Sequence, residues 1–302
     1  MRAKNKPFMK KVILLSYGSP ERIDDVPEYL SGIFDGKPVP EKIMEENIKK
    51  YEMVNGISPS NQIIKNLKNK LGKLLARYGD FEIIDAYKHW HPGIEETVSS
   101  LDADYEEIIA LPLFAFKSNN IRKSYEIPVK KAMEGKNMKL RFINGLDYSI
   151  LASMWVSEIS KYVYDFDNFL FTAHSLPLID DESDYQASLE RNAGKISDML
   201  GIEKYYTAFY SQGPHGKWIE PSIYSKIDLF KEDKINNLLV SPIGFLYEHL
   251  EILYDLDVKY KEFLESQGIK YARARTPSDS DGMAILLKNA IMGVEGDKEN
   301  YY

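Results

Sequence analysis

Between Ser241 and Glu262 the chain reads SPIGFLYEHLEILYDLDVKYKE, with acids recurring at helical spacing. At about 100° per residue, Glu248, Glu251, Asp255 and Glu262 share one side of a helix that starts near Tyr247. Leu246, Leu250, Leu253, Tyr254 and Tyr260 fall opposite. The plain reading is an amphipathic helix with a solvated acidic face. Two features point further. His249 sits two residues before Glu251, and the helix follows an apolar, β-branched run, Asn237–Ser241, that stops at Pro242 and Gly244. Open α/β sheets build their sites outside such strand ends. A row of carboxylates leading from one offers a path for a hard or borderline metal cation.

The five histidines are His89, His91, His174, His215 and His249. His174 ends an apolar strand and precedes Ser175-Leu176-Pro177, which puts its ring at the sheet's carboxyl edge. A neutral imidazole there can ligate a metal or take a proton near neutral pH. A loop histidine satisfied by a hydrogen bond is the plain alternative. A Ser-His-Asp triad built on Ser175 lacks the G-x-S-x-G elbow that would expose a serine nucleophile. Tyr17-Gly18-Ser19 has neither the G-x-G-x-x-G spacing of a dinucleotide site nor a Walker sequence beside it. Tyr17, Trp90, Phe114 and Trp218 all fall at strand ends or just beyond, where a flat apolar ligand would want walls.

Strands alternating with helices must carry these residues. Strand patterns at Lys11–Ser16, Phe81–Ala86, Glu107–Leu111 and 138–143 alternate with helical ones at about 22–34, 41–53, 60–77, 93–102 and 119–134. The second half repeats the plan. Strands at Asn168–Ala173, Tyr205–Tyr210 and about 236–241 alternate with helices at about 148–164, 184–200 and 221–231, the last opened by Trp218 and Pro221. A final helix spans about 279–293. This alternation predicts parallel sheets covered on both faces, in two similar α/β domains joined near residues 143–148.

The bulk numbers narrow the class. A chain of 302 residues with 44% hydrophobic and 28% charged content is long enough for two packed domains. Its net charge of −7 argues against nucleic acid as a partner. No apolar run approaches the length of a membrane span, and a cytoplasmic, soluble protein is expected. With no cysteine there is no disulfide, no thiolate nucleophile and no cysteine-ligated iron–sulfur cluster. Metal chemistry must use His, carboxylates, Tyr or the substrate's own donors.

Taken together, the strand-end segments resemble the ferrochelatase family, the enzymes that insert ferrous iron into a porphyrin to make a haem. The matching segments are Tyr17-Gly18-Ser19-Pro20, Gly56-Ile57-Ser58-Pro59, Thr172-Ala173-His174-Ser175-Leu176-Pro177 and Ser211-Gln212-Gly213 with Trp218 and Pro221. The last is Pro242-Ile243-Gly244-Phe245 with His249-Leu250-Glu251-Ile252-Leu253-Tyr254-Asp255. They occur in the family's order from Lys11 to about residue 292. The resemblance implies the chelatase fold: two similar Rossmann-like domains with four-stranded parallel sheets flanked by helices. The domains would span residues 1–145 and 146–302, with the active cleft between them and the last helix packing back on the first.

By that resemblance His174 and Glu251 are catalytic, binding iron at the porphyrin centre and accepting pyrrole protons, and Asp255 joins them as a metal ligand. Tyr17 approaches the metal from the opposite side of the ring. Tyr51, Ser58, Tyr125, Lys50 and Trp218 are carried over as substrate-binding positions. Ferrous iron is a substrate, and no tightly bound cofactor or iron–sulfur cluster is implied. The porphyrin is protoporphyrin IX or coproporphyrin III, and a monomer is expected, with loose membrane contact left open. The chain departs from the family at Lys259, where many members carry a carboxylate, and at Phe34-Asp35, where bacterial members carry an Arg pair. The second departure leaves propionate recognition to other groups, such as Lys37, Lys50 or Lys88. Two other readings stand beside this one: a cobalt or nickel chelatase of another tetrapyrrole, and a non-catalytic haem or porphyrin carrier. A carrier needs an axial ligand but no opposed base.

Overall fold

The computed structural model describes residues 9–102, 105–213 and 215–293. The first half holds β1 (Lys10–Ser16), α1 (Val26–Ile33), α2 (Glu41–Met53), α3 (Ser60–Leu75) and β2 (Phe81–Tyr87). It continues through α4 (Ile94–Ser99), β3 (Glu107–Pro112), α5 (Asn119–Met133) and β4 (Lys139–Phe142). The second half holds α6 (Tyr148–Ile159), β5 (Phe169–His174), α7 (Ser183–Leu200), β6 (Tyr205–Tyr210), α8 (Ile227–Glu232) and β7 (Asn237–Ser241). A π-helix (Ile252–Tyr260) runs into α9 (Lys261–Ser266), followed by β8 (Lys270–Arg273) and α10 (Asp281–Met292).

The two sheets repeat one parallel strand order, β2-β1-β3-β4 and β6-β5-β7-β8. β1 and β5 are central, and their apolar runs are buried on both faces, as helix-covered parallel strands require. In each sheet the order reverses beside the central strand. The chain leaves β1 and β3 toward opposite sides, and likewise β5 and β7, which opens a crevice at the carboxyl ends. One apolar cluster runs from Leu14 and Leu111 in the first sheet through Trp155 to Phe171 and Leu239 in the second.

The last helix ties the halves together. Lys70 of α3 donates to the Asp279 carbonyl at 2.6 Å and pairs with Asp281 at 2.9 Å. At the other end of α10, the Arg141 guanidinium of β4 caps the carbonyls of Ala290 and Ile291. That places a cation on carbonyls left open at a helix C-terminus. Among the described residues no helix is long and apolar enough to cross a membrane.

Three elements differ from the sequence reading. β8 (Lys-Tyr-Ala-Arg) could not be placed from its own residues, because four residues with charged ends carry no apolar run; only the four-stranded sheets of the family resemblance called for it. Trp218 and Pro221 do not open a helix: Trp218 bridges to Pro177, Ser222 bridges to Phe209, and helical structure begins only at Tyr224. The acidic helix begins at Leu250 rather than near Tyr247, and from Ile252 it winds with i→i+5 bonding. Glu248 therefore lies before the helix, not on a stripe with Glu251. Its carboxylate accepts from Arg273 at 2.9 Å and from the Thr276 amide at 2.9 Å.

Candidate active site

His174 is the last residue of β5, and the chain turns at once into Ser175-Leu176-Pro177. That turn is fixed from three directions. The Ser175 amide donates to the Tyr210 carbonyl at 2.7 Å, and its hydroxyl donates to the Ile219 carbonyl at 2.8 Å. The Tyr185 hydroxyl donates to the His174 carbonyl at 3.0 Å. The His174 ring is bracketed by the rings of Tyr210 and Phe245, each 6.4 Å away.

Glu251 reaches the same place from β7. After Ser241 the chain turns at Pro242 and passes Gly244, whose amide donates to the Thr172 carbonyl at 3.0 Å. The Glu251 carboxylate then stands with Oε2 3.4 Å from His174 Nε2. Nδ1 of His174 faces the Ser175 carbonyl within hydrogen-bond reach, so Nδ1 carries the proton. In the neutral ring the lone pair of Nε2 therefore points at a carboxylate. Two electron-pair donors so placed need a cation between them, either a proton or a metal. Burial opposes charge on the imidazole, but Glu251 outweighs it and holds His174 above the ordinary imidazole range. Burial also opposes charge on Glu251, yet His174 leads the cations that bring it down to about 2.

The other predicted residues divide into groups. Tyr17, just past the end of β1, packs against His89 with ring centres 4.6 Å apart and planes tilted by 54°. Burial first, and the Glu251 charge after it, push the phenols of Tyr17, Tyr51 and Tyr210 upward, so both halves turn tyrosines toward this carboxylate. Tyr51 is buried in a cluster with Tyr29 and Leu30, against which Leu250 packs. Lys50, its neighbour on α2, lies 5.6 Å from the centre of the Tyr254 ring. Tyr125 is buried beside Phe114, 5.1 Å between ring centres, and its hydroxyl has no protein partner among the described residues.

Trp218 and Ser58 act on the surroundings. The Trp218 indole donates to the His215 carbonyl at 2.7 Å, and the tryptophan braces the turn after His174 through its bridge to Pro177. Ser58 is buried, and its hydroxyl donates to Ser60 at 3.0 Å, which in turn contacts Ser19 at 2.9 Å. That chain ties the start of α3 to the turn after β1. Asp255 accepts a hydrogen bond from Ser211, and its second oxygen is 3.6 Å from the Lys259 ammonium. Among the described residues, His174, Glu251 and Asp255 do not gather into a three-donor metal set.

His249 was not among the site residues read from the sequence. Its ring lies 4.5 Å from Phe245, and Nε2 is buried without a protein partner among the described residues. Burial holds it below the ordinary imidazole range, so it is a neutral base beside the pair. The signal was its place two residues before Glu251, which alternation around a helix start does not turn into a direction.

Two donors leave most of a metal's coordination positions open. The arrangement therefore suits delivery of a cation into a ligand that supplies the rest, with the same groups taking up the protons displaced. The ferrochelatase family model matches residues 10–293. The ferrochelatase of Thermoplasma acidophilum is 45% identical over 296 residues, covering 96% of this chain and 94% of its own. That of Thermoplasma volcanium is 42% identical over 283 residues, covering 93% and 91%. Among solved structures, the sirohydrochlorin chelatase SirB from Bacillus subtilis in complex with cobalt superposes with a TM-score of 0.59. It covers 97% of this chain and 98% of its own at 9% identity, which bears on the fold alone.

Proposed function

The chain belongs to the ferrochelatase family, enzymes that insert ferrous iron into a porphyrin, and from that premise we propose that His174 and Glu251 perform the insertion. The supporting observation is the lone pair of His174 Nε2 facing a carboxylate oxygen 3.4 Å away, where a cation must sit. Ferrous iron is the substrate cation. His174 Nε2 and one Glu251 oxygen replace part of its water shell, and four ring nitrogens complete the exchange. Two pyrrole N–H protons leave as two Fe–N bonds replace them, so the products are haem and two protons. Glu251, ionised at neutral pH, and the neutral His249 are placed to take those protons.

The rest of the cleft holds the macrocycle. Tyr17 from the first half and Phe245 from the second provide flat apolar walls, while Tyr51, Tyr125 and Tyr210 are buried within the protein. Binding energy from such walls can be used to bend a rigid ring and expose a nitrogen lone pair. No tightly held cofactor has a role in this scheme.

The test is anaerobic insertion of Fe²⁺, with Zn²⁺ and Co²⁺ in parallel, into protoporphyrin IX and coproporphyrin III. Wild type inserts iron, and His174→Ala and Glu251→Gln each lose roughly 10²- to 10⁴-fold in rate while still binding porphyrin. The faster porphyrin identifies the substrate. Insertion by His174→Ala at the wild-type rate would sink the assignment.

A further inference from the structure

We propose that Asn120 and Glu182 are positioning residues for His174, clamping the segment that follows it to helix α5 of the other half; this rests on the reading above. Glu182 stands at the start of α7, yet its carboxylate makes no cap for that helix. Its Oε1 instead accepts from the Asn120 amide at 2.7 Å, in the first turn of α5. The unpaired amides of a helix's first turn favour an anion there. Asn120 returns the contact, its side-chain amide donating to the Pro177 carbonyl at 2.9 Å. Asn119 beside it donates to the Asp181 carbonyl at 2.7 Å, and the Lys123 ammonium pairs with Asp180 at 2.6 Å.

The clamped residues lead directly from His174. Pro177 closes the turn His174-Ser175-Leu176-Pro177, so Asn120 holds the far end of the turn that β5 begins. Glu182 reaches His174 by a second route. It is 2% exposed, and Oε2 has no protein hydrogen-bond partner among the described residues. Burial first, and the Glu182 charge after it, push the Tyr185 phenol upward. That keeps the proton on the hydroxyl that donates to the His174 carbonyl at 3.0 Å. The bonds from Ser175 to Tyr210 and Ile219 fix the turn within its own half. Asn120 and Glu182 fix it against the first half, which carries Tyr17. Ties such as those of Lys70 and Arg141 act on α10, not on this turn. Metal insertion needs Nε2 at bonding distance from the centre of a ring held between the halves, and a displacement of about 1 Å can cost up to about 10²-fold in rate.

The test is steady-state insertion of Fe²⁺ and Zn²⁺ by the intact protein into the faster of the two porphyrins above, with kcat and KM separated. The variants are Asn120→Ala, Glu182→Ala, Glu182→Gln and Lys123→Ala. Asn120→Ala and Glu182→Ala should lower kcat roughly 5- to 30-fold and leave KM for porphyrin within about twofold, since the loss falls on reacting geometry rather than on binding. Glu182→Gln keeps an oxygen for the Asn120 amide and should recover most of the wild-type kcat. Lys123→Ala removes only an exposed ion pair and should stay within about twofold of wild type. Wild-type kcat in Asn120→Ala, or a rise in KM that accounts for the whole loss, would overturn the proposal, and so would a Glu182→Gln as slow as Glu182→Ala. His174→Ala in the same assay separates this from the underlying reading. If it inserts at the wild-type rate, the reading itself fails; a slow His174→Ala beside a fast Asn120→Ala removes the clamp alone.

Discussion

A Cβ placed on Gly244 would stand 2.4 Å from the Cβ of Ala173 and 2.8 Å from its Cα. The turn after β7 thus lies directly on the residue before His174, and only glycine permits that approach. This contact carries Phe245, His249 and Glu251 to the end of β5.

Gly244→Ala should therefore damage both the fold and the site. Overpacking against a backbone atom costs about 1–3 kcal/mol, because Ala173 has no flexible end to move aside. The turn must shift, and Glu251 moves with it away from His174. A lowered denaturant midpoint and a loss of metal insertion larger than the stability loss explains are expected. Unchanged insertion would mean that the pair does not depend on this turn.

How much of this was legible beforehand follows from which residues carry local signals. β1 and β5 are unbroken apolar runs ending in Tyr-Gly-Ser-Pro and His-Ser-Leu-Pro, so strand, turn and the position of His174 could be read directly. Glu251 was legible as an acid after a strand, but only the family resemblance paired it with His174, since pairing between two strand ends is tertiary. The π-helix was misread because a short run fits an α-helical stripe about as well. Starting the helix near Tyr247 rather than at Leu250 placed Glu248 on the acidic face, when it lies before the helix and is bound to Arg273. The exchange at Lys259 was visible, whereas its ring contact with Tyr254 was not.

The buried Arg273 makes its own prediction. It is 8% exposed at the side chain and donates to Asp257 at 2.6 and 2.7 Å and to Glu248 at 2.9 Å. It thereby fixes the π-helix to β8 and to the segment before Leu250. Arg273→Met removes the cation and leaves two carboxylates without it, a loss of about 3–5 kcal/mol. Replacing all three residues with apolar side chains of similar volume should recover much of that stability. If Arg273→Met melts within a degree of wild type, the network does not hold the helix.

The His174–Glu251 pair should leave a signature in stability against pH. His174 titrates above 6.5 in the fold, so its contribution is whole below 6.5 and is lost as pH rises through the folded value. Glu251 is brought from 4.5 to about 2, so its contribution is present above 4.5 and fades toward 2. The pair therefore stabilises the metal-free protein most between about 4.5 and 6.5. Denaturant midpoints of wild type and Glu251→Gln should differ more at pH 5.5 than at pH 9. An equal gap at both values would mean that the two groups titrate independently.

His249 offers the sharpest contrast between stability and activity. Its Nε2 is buried with no protein partner among the described residues, an arrangement that costs about 1–3 kcal/mol and is kept where the group has work to do. Phenylalanine fills a similar volume, suits the contact with Phe245 and leaves no orphan nitrogen. His249→Phe should thus be as stable as wild type or more so. If the imidazole takes a pyrrole proton, the same variant should insert metal roughly 10- to 100-fold more slowly. Porphyrin affinity should change little, since the ring face is retained. A variant that is stabilised and inserts at the wild-type rate would make His249 a packing residue, and proton removal would then fall to Glu251 alone.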